Sequence, residues 1–346
     1  MTSINDVAKL AGCSATLVSR VLNDHYGVSD KSREKIKKAI NELGYTPNAH
    51  ARSLVTKRTN TIGVVVDTLC DAYFFNLISG VEEAIDQYHY DVLFCSGKNN
   101  AEKKESYIDF FMQERTDGII IYGSYLKDSA LIKKLQKARF PFVLVEYDAG
   151  QANINNVLID NRYGSKLAVD YLVQCGCRHI FHVEGDMTMQ ASKTREEGYL
   201  DAMRKYGDPS MQVKILTSGW SEEQGYDTIK KFLQNNQELP DAFYFSADQS
   251  AFGGMKALQE ASVSIPDEVM LVGFDDDRPR NYFEKYVPLT TVHQPLYEMG
   301  KEAANILLQD IKEKREKKQK RTFSPSLVIR QTTREQTETI REISKV

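Results

Sequence analysis

From Thr61 onward, short apolar runs alternate with amphipathic stretches. The runs TIGVVV (61–66), DVLFC (91–95), GIIIY (118–122), PFVLV (141–145), HIFHV (179–183), AFYFS (242–246) and VMLVG (269–273) hold five or six residues each, and each precedes a helical pattern. Runs of that length, separated by helical spacing, predict buried strands of parallel sheets with helices on both faces. The pattern before residue 60 is different. Asp6 to Ser14 reads as a short helix, a turn at Gly12, and a hydroxyl side chain at Ser14 placed to cap a second helix running to about Asn23. Val18 and Val21 form an apolar stripe facing the first helix, and Ala8 is small where the two cross. That leaves Ala15, Thr16, Ser19 and Arg20 pointing outward. A third helix is predicted from about Asp30 to Leu43.

Two packed helices joined by a glycine turn make a helix-turn-helix, whose second helix can enter a major groove; there Arg20 could bond a guanine edge in two places. The same spacing also serves a plain helical hairpin. Val28 and Ser29 lead into the third helix, which carries Ser32, Arg33, Lys35, Lys37 and Lys38. Those hydroxyls and cations suit phosphate contacts, or alternatively a solvated basic face. Charge adds a little to the first reading. Residues 1–60 hold ten Lys/Arg against five Asp/Glu, a balance of +5, which leaves −8 for the remainder of a chain whose net charge is −3.

With 346 residues, 41% of them hydrophobic, the chain is long enough for two or three domains. The start, MTSINDVAKL, has neither a basic stretch nor an apolar run, and no segment reaches eighteen uninterrupted apolar residues, so the expectation is a cytoplasmic protein with no membrane partner. Five scattered cysteines argue against a disulfide framework. Cys175, Cys177, His179 and His182 are metal-type ligands at close spacing, but the histidines should enter a strand whose side chains alternate between faces, so no metal site is expected. No nucleotide-binding glycine loop and no nucleophile elbow occur, so neither a cofactor nor enzymatic catalysis is expected.

The motifs DVAKLAG, SRVLN, VSDKSREKI, ELGYTPN and ARSL, in that order and at close spacing, resemble the head of the lactose/galactose repressor (LacI/GalR) family. TIGVVV, DGIIIYGS, the Ile159-Asp160-Asn161 step, LVGFDD and PLTTVHQP continue the resemblance to near residue 330. It implies an α/β fold: an N-terminal helix-turn-helix DNA-binding domain (1–46), a hinge helix and linker (47–60), and a two-lobed periplasmic-binding-protein-like domain of parallel sheets flanked by helices (61–334). The lobes are discontinuous, about 61–160 with 292–324 and about 161–291 with 325–334, followed by a tail (335–346). The chain is expected to cross between lobes near Asp160, near residues 291–293 and near residue 325. The resemblance also implies DNA contacts from Ser3, Ser14, Ala15, Thr16, Ser19, Arg20, Asn23, Val28, Ser29, Ser32, Asn48, Ala51, Arg52 and Leu54. Leu54 would be a wedge in the minor groove, on a hinge too short to form a helix without DNA. One departure is Leu17, where the family commonly has threonine, so that phosphate contact is not carried over.

In parallel sheets, ligands bind beyond the carboxyl ends of the strands, which with two lobes means the cleft between them. Tyr73, Phe74, Ser124, Glu146, Asp148, Arg195, Trp220, Asp248 and Asp275 end strands, open helices or match family positions there. Carboxylates and a guanidinium suit the paired hydroxyls of a sugar, and an aromatic face packs on its C–H surface. The alternative is ordinary loop polarity and core aromatics. Asp248 could instead cap a helix starting at about Gln249. Ala247 stands where sugar-binding members often have asparagine, and apolar Met189 and Ala191 replace the polar ligand contacts of the purine repressor.

The expected function is a repressor, bound as a homodimer to a pseudo-palindromic double-stranded operator and controlled by a small molecule, a sugar or sugar derivative. One alternative is a catabolite-control regulator driven by a phosphoprotein; another, of a different class, is a cytoplasmic sugar-binding or sugar-modifying protein. The tail EQTETIREISKV offers only Ile340, Ile343 and Val346 as apolar positions, too few for the heptads that would join two dimers.

Overall fold

The computed structural model describes residues 2–22, 26–46, 58–69, 73–97, 100–123, 129–150, 153–206, 211, 213–235, 238–279, 286–314 and 316–334. The chain forms two units, Met1–Thr59 and Asn60–Val346.

The first unit is built from three helices: α1 (Ile4–Ala11), α2 (Ala15–Leu22) and α3 (Asp30–Leu43). Eight residues are too few for an isolated helix to persist in water, so α1 and α2 depend on end-capping and on packing. Ser3 and Asp6 form a reciprocal capping box at the start of α1, Ser14 Oγ accepts from Leu17 N at 3.2 Å, and Ser29 Oγ accepts from Ser32 N at 3.3 Å. Gly12 turns the chain with φ +64°, a left-handed angle that a side chain would resist. Val7, Ala8, Val18, Val21, Ile36 and Ala39 close the core between the three helices. Leu17 packs against the same cluster, which gives its departure from threonine a packing role.

The second unit contains two six-stranded sheets. Sheet one has the order β11-β5-β4-β3-β1-β2, with β1 Thr61–Val66, β2 Asp91–Ser96, β3 Gly118–Tyr122, β4 Phe142–Val145, β5 Asn155–Ile159 and β11 Lys320–Phe323. All its pairings are parallel. Sheet two has the order β12-β10-β9-β8-β6-β7, with β6 Ile180–Val183, β7 Val213–Leu216, β8 Ala242–Phe245, β9 Met270–Asp275, β10 Thr290–His293 and β12 Ser326–Val328. Only β12 runs antiparallel, against β10.

Helices fill the connections: α4 (Tyr73–Asp86), α5 (Ala101–Met112), α6 (Ser129–Lys137), α7 (Asn161–Gln174), α8 (Gln190–Tyr206), α9 (Glu222–Gln234), α10 (Asp248–Glu260) and α11 (Leu296–Glu313). Their apolar faces join the strands in two clusters per lobe; Val64, Val81, Val143 and Leu307 belong to one and Val272, Leu172, Tyr199 and Phe274 to another. The chain passes from the first lobe to the second at Asp160, between β5 and α7, and back at Gln294-Pro295, between β10 and α11. The third passage is Ser324-Pro325, between β11 and β12. The second passage falls just after the expected 291–293, because β10 pairs with β9 through His293 before the chain turns away.

Candidate functional site

In the first unit, burial of Val18 and Val21 turns Thr16 and Arg20 to the exposed side of α2, while Ala15 and Ser19 are half-buried. Ser29 and the four lysines of α3 (Lys31, Lys35, Lys37 and Lys38) are exposed, and Val28 packs on the core. Ser3 is engaged locally, its hydroxyl donating to Asp6 Oδ2 at 2.7 Å. Asn23, Asn48, Ala51, Arg52 and Leu54 lie outside the described residues, as do Ser124 and the tail after Arg334.

In the second unit, the strand ends of both lobes converge on one buried polar network. Arg195, on α8 and 2% exposed, donates through Nε to Asn161 Oδ1 at 2.8 Å and through Nη1 to the Ser246 carbonyl at 2.6 Å and to Asp275 Oδ1 at 3.1 Å. Its Nη2 lies 3.5 Å from Glu146 Oε1. The guanidinium is further held over the ring of Phe274 at 3.7 Å and that of Trp220 at 5.3 Å. Trp220 reaches this place because residue 185 is glycine: a Cβ there would stand 2.9 Å from the indole and 2.7 Å from Ser192 Oγ.

The first lobe contributes Tyr73, Tyr122 and Glu146. Glu146 follows β4 with φ +64°, and Asp275 ends β9 with φ +119°, so both carboxyl-bearing residues sit in left-handed backbone that costs free energy and turns them out of their strands. Tyr122 donates to Glu146 Oε2 at 2.5 Å and, with its proton so used, accepts from Tyr73 at 2.7 Å. Gln294, at the second passage, donates to Tyr73 at 3.0 Å and to Asp275 Oδ1 at 2.7 Å. The donors therefore run in one direction, from Gln294 through the two phenols to Glu146. A second link between the lobes is the Gln190 amide, which accepts from Asp148 N at 2.7 Å and donates to its carbonyl at 3.1 Å.

Burial decides the protonation of these groups. It pushes Glu146 above the ordinary carboxylate range against the pull of Arg195 and the Tyr122 hydrogen bond. Asp275 is pushed up to about 7, again by burial first, with Arg195 opposing and the Glu146 carboxylate adding to the rise. Tyr73 and Tyr122 are raised well above their usual value by burial and by Glu146. Among the described residues, several acceptors in this region have no hydrogen-bond partner, Glu146 Oε1 and Gln294 Oε1 among them, and neither does Ser192 Oγ.

Two expected contacts are placed differently. Phe74 is 6% exposed and belongs to the first lobe's core, its ring edge-on to Tyr122 at 4.9 Å; it supports the network from beneath. Asp248 is fully buried and opens α10 without capping it. Its oxygens accept from Thr291 Oγ1 at 2.7 Å and Asp277 N at 2.8 Å, fixing the turn that carries Asp275. Tyr122 and Gln294 were missed as site residues although the motifs DGIIIYGS and PLTTVHQP contain them. Their signal was position, one ending a strand and the other at a passage between lobes. Of the cysteine and histidine cluster, His182 stacks between Tyr199 and Tyr244 at 5.1 and 4.9 Å, and Cys175 Sγ donates to the Arg334 carbonyl at 3.3 Å.

Comparisons with known proteins agree with this division. Residues 3–48 match the family described as bacterial regulatory proteins, lacI family, and residues 59–332 match periplasmic binding proteins and sugar binding domain of LacI family. A relative in Actinobacillus pleuropneumoniae serotype 3 (strain JL03), the HTH-type transcriptional repressor PurR, is 32% identical over 337 residues, covering 96% of this chain and 99% of its own. Among solved structures, the lac repressor dimer bound to operator and the anti-inducer ONPF superposes with a TM-score of 0.84 at 26% identity, covering 96% of this chain and 99% of that one. The transcriptional regulator CelR in complex with cellobiose gives 0.71 at 26% identity, covering 96% and 100%. Matched over both its head and its two-lobed body, the chain belongs to the lacI family of bacterial regulatory proteins, as a DNA-binding, effector-controlled repressor and not an enzyme.

Proposed function

We propose that this repressor binds a pseudo-palindromic operator as a homodimer, and that a polyhydroxylated, sugar-like effector held between the lobes sets its operator affinity. The carrying observation is the Arg195 network, in which side chains of both lobes meet around buried acceptors that have no donor among the described residues. A hydroxyl-rich ligand brings such donors, and Trp220 offers a face for its C–H surface. A ligand touching Glu146 and Tyr73 on one side and Arg195 and Asp275 on the other binds one inter-lobe arrangement better than another, which is what control of a distant site requires. On the DNA side, α2 is the reading helix, with Arg20 and Thr16 toward base edges and the capping serines and lysines of α3 toward phosphates. A dimer is needed because one helix-turn-helix reads only a half-site.

Titration calorimetry and operator-release assays with a panel of sugars and purine bases test this. Arg195→Ala is expected to lower effector affinity at least about tenfold, since a lost hydrogen bond to a charged group costs roughly 1.5–3 kcal/mol. Wild-type affinity in that variant overturns the site. The purine alternative is the second reading, favoured by the PurR relative. Against it, Met189 and Ala191 present apolar groups at the start of α8. Release or tightening by hypoxanthine or guanine, with no response to any sugar, would establish it.

A further inference from the structure

The charges of the cleft narrow the effector beyond a hydroxyl-rich ligand, an inference that rests on the cleft reading above. In the described part of the network, two carboxyl groups, Glu146 and Asp275, share one guanidinium, Arg195; their side chains are 7%, 13% and 2% exposed. Arg195 is the cation acting on both. Its donors are largely committed elsewhere, to Asn161, to the Ser246 carbonyl and to Asp275. Glu146 Oε1 is left 3.5 Å from Nη2, within ion-pair range but without a hydrogen bond. Gln294 Oε1, the amide oxygen on the other side of Tyr73, is likewise buried without a donor. Among the described residues, what the cleft lacks is therefore a donor group that also carries positive charge.

The surroundings point the same way. Glu184 follows β6, a further acid after a strand of the second lobe, whereas Asp148, after β4, is already paired with Lys320 at 2.5 Å. Tyr122 places its phenol oxygen against Glu146, and Tyr73 places its own against that of Tyr122, so the polar atoms beside Glu146 are oxygens. An anionic ligand would add a third negative charge to a desolvated site, and a neutral one would leave the excess uncompensated.

We infer that the effector is a polyhydroxylated amine of the amino-sugar class, its ammonium group seated against Glu146 and its hydroxyls ordered by Arg195, Asp275 and Gln294. The raised position of both carboxyl groups fits this: without a cation, the site relieves its excess charge by favouring the protonated form. An ammonium group takes the place of that proton. The relevant chemistry is one cation and several hydroxyls on a small ring, with no phosphate and no carboxylate.

The test uses matched probes on the full chain: D-glucosamine, D-glucose and D-glucosamine 6-phosphate, then D-galactosamine and D-galactose, with hypoxanthine and guanine as neutral donor-rich bases. Calorimetric affinity and operator response are read together. The expected result is that a hexosamine binds at least about tenfold more tightly than its matched hexose, and that Glu146→Gln brings the two within about twofold. Should Glu146→Gln fold poorly, Asp275→Asn reads the same preference through the second carboxyl group. Tighter binding of a hexose, a phosphate or a base, abolished by Arg195→Ala, overturns the amine while leaving the cleft as the effector site. Hexosamine binding that none of the three substitutions weakens overturns the cleft reading itself. If neither hexosamine binds, the amino-sugar inference is wrong.

Discussion

Arg20 stands on the exposed side of α2 with the head's core behind it, so its replacement removes little packing. Arg20→Ala is expected to cut discrimination between operator and random DNA by about 1–3 kcal/mol while leaving weak, salt-sensitive binding, because phosphate contacts persist. Competition binding at two salt concentrations measures both, and an unchanged preference removes Arg20 from base reading. Asp275 carries a different prediction. Folded, its carboxyl is pushed up to about 7, whereas in the unfolded chain it titrates near 3.8. The folded state therefore holds the extra proton between those values, and this residue's contribution to stability is full at acid pH and is lost as pH rises toward 7. Asp275→Asn should flatten the decline in unfolding free energy between pH 5 and 7, by at most about 1.4 kcal/mol per pH unit. A parallel slope in urea titrations of both proteins contradicts the shift. Glu146 and Asp275 were legible as candidates because charge at strand ends is conspicuous, and Arg195, within α8, only from its match to a family position. Phe74 and Asp248 carried the same conspicuous chemistry and serve packing and turn geometry instead. Sequence position does not say which way a side chain turns.

At the level of elements, the first lobe depends on two glycines where α4 and α11 cross. A Cβ on Gly80 would stand 2.0 Å from the Tyr297 carbonyl oxygen, and one on Gly300 would stand 2.2 Å from that of Leu77. Backbone cannot yield as a flexible side chain does. Gly300→Ala should accordingly destabilise the second unit by about 1–3 kcal/mol through forced separation of the helices, despite alanine's better helix propensity. Chemical denaturation monitored at Trp220 reads this, and a stabilised variant would mean the helices can slide apart freely. The strands divide by the same logic of contact. The apolar runs ending at Val66, Tyr122 and Val145 were legible because both faces of those strands are buried. β5 was missed because Asn155 and Asn156 interrupt it, yet both are buried, bonded to Asp310 Oδ2 at 3.0 Å and to the Tyr147 carbonyl at 2.9 Å. β10 begins with Thr290 and Thr291, fully buried and bonded to Thr333 and Asp248. β11, at the edge of its sheet, reads Lys-Arg-Thr-Phe and shows no apolar run at all. A hydrophobic pattern finds strands whose residues run apolar in sequence, half-exposed β2 included. It passes over those that polar residues open or interrupt, whether buried with distant partners as in β5 and β10 or exposed at an edge as in β11.

For the whole molecule, the first question is assembly. Phe75 on α4 and Leu93 on β2 are 58% and 41% exposed on adjoining elements of the first lobe, apolar surface of the kind that a second copy covers. Light scattering of the 346-residue chain should give about twice 39.4 kDa, and the chain truncated after Arg334 should likewise give twice its own, smaller mass. A tetramer that falls to a dimer on truncation contradicts the reading of the tail. The three passages of the chain between lobes also dictate the order in which a ribosome can deliver a finished protein. The helical head is complete once residue 43 has emerged. The first lobe's strands through Ile159 emerge next, but α11, which supplies Leu296, Met299, Leu307 and Ile311 to their core, is made more than a hundred residues later. During that interval a growing chain carries a folded DNA-binding head on a lobe whose apolar sheet face is uncovered, the kind of nascent surface that chaperones shield. Chains ending at residue 160 or 290 should thus be cleaved rapidly by protease beyond the head, whereas a chain ending at 334 should become resistant in both lobes at once. A resistant first lobe in the 160-residue chain would show that β1 to β5 can close without α11. Otherwise a translation pause or premature stop late in the message yields a polypeptide able to touch DNA but with no lobe completed to sense anything, and quality control of synthesis becomes part of how this regulator stays obedient to its signal.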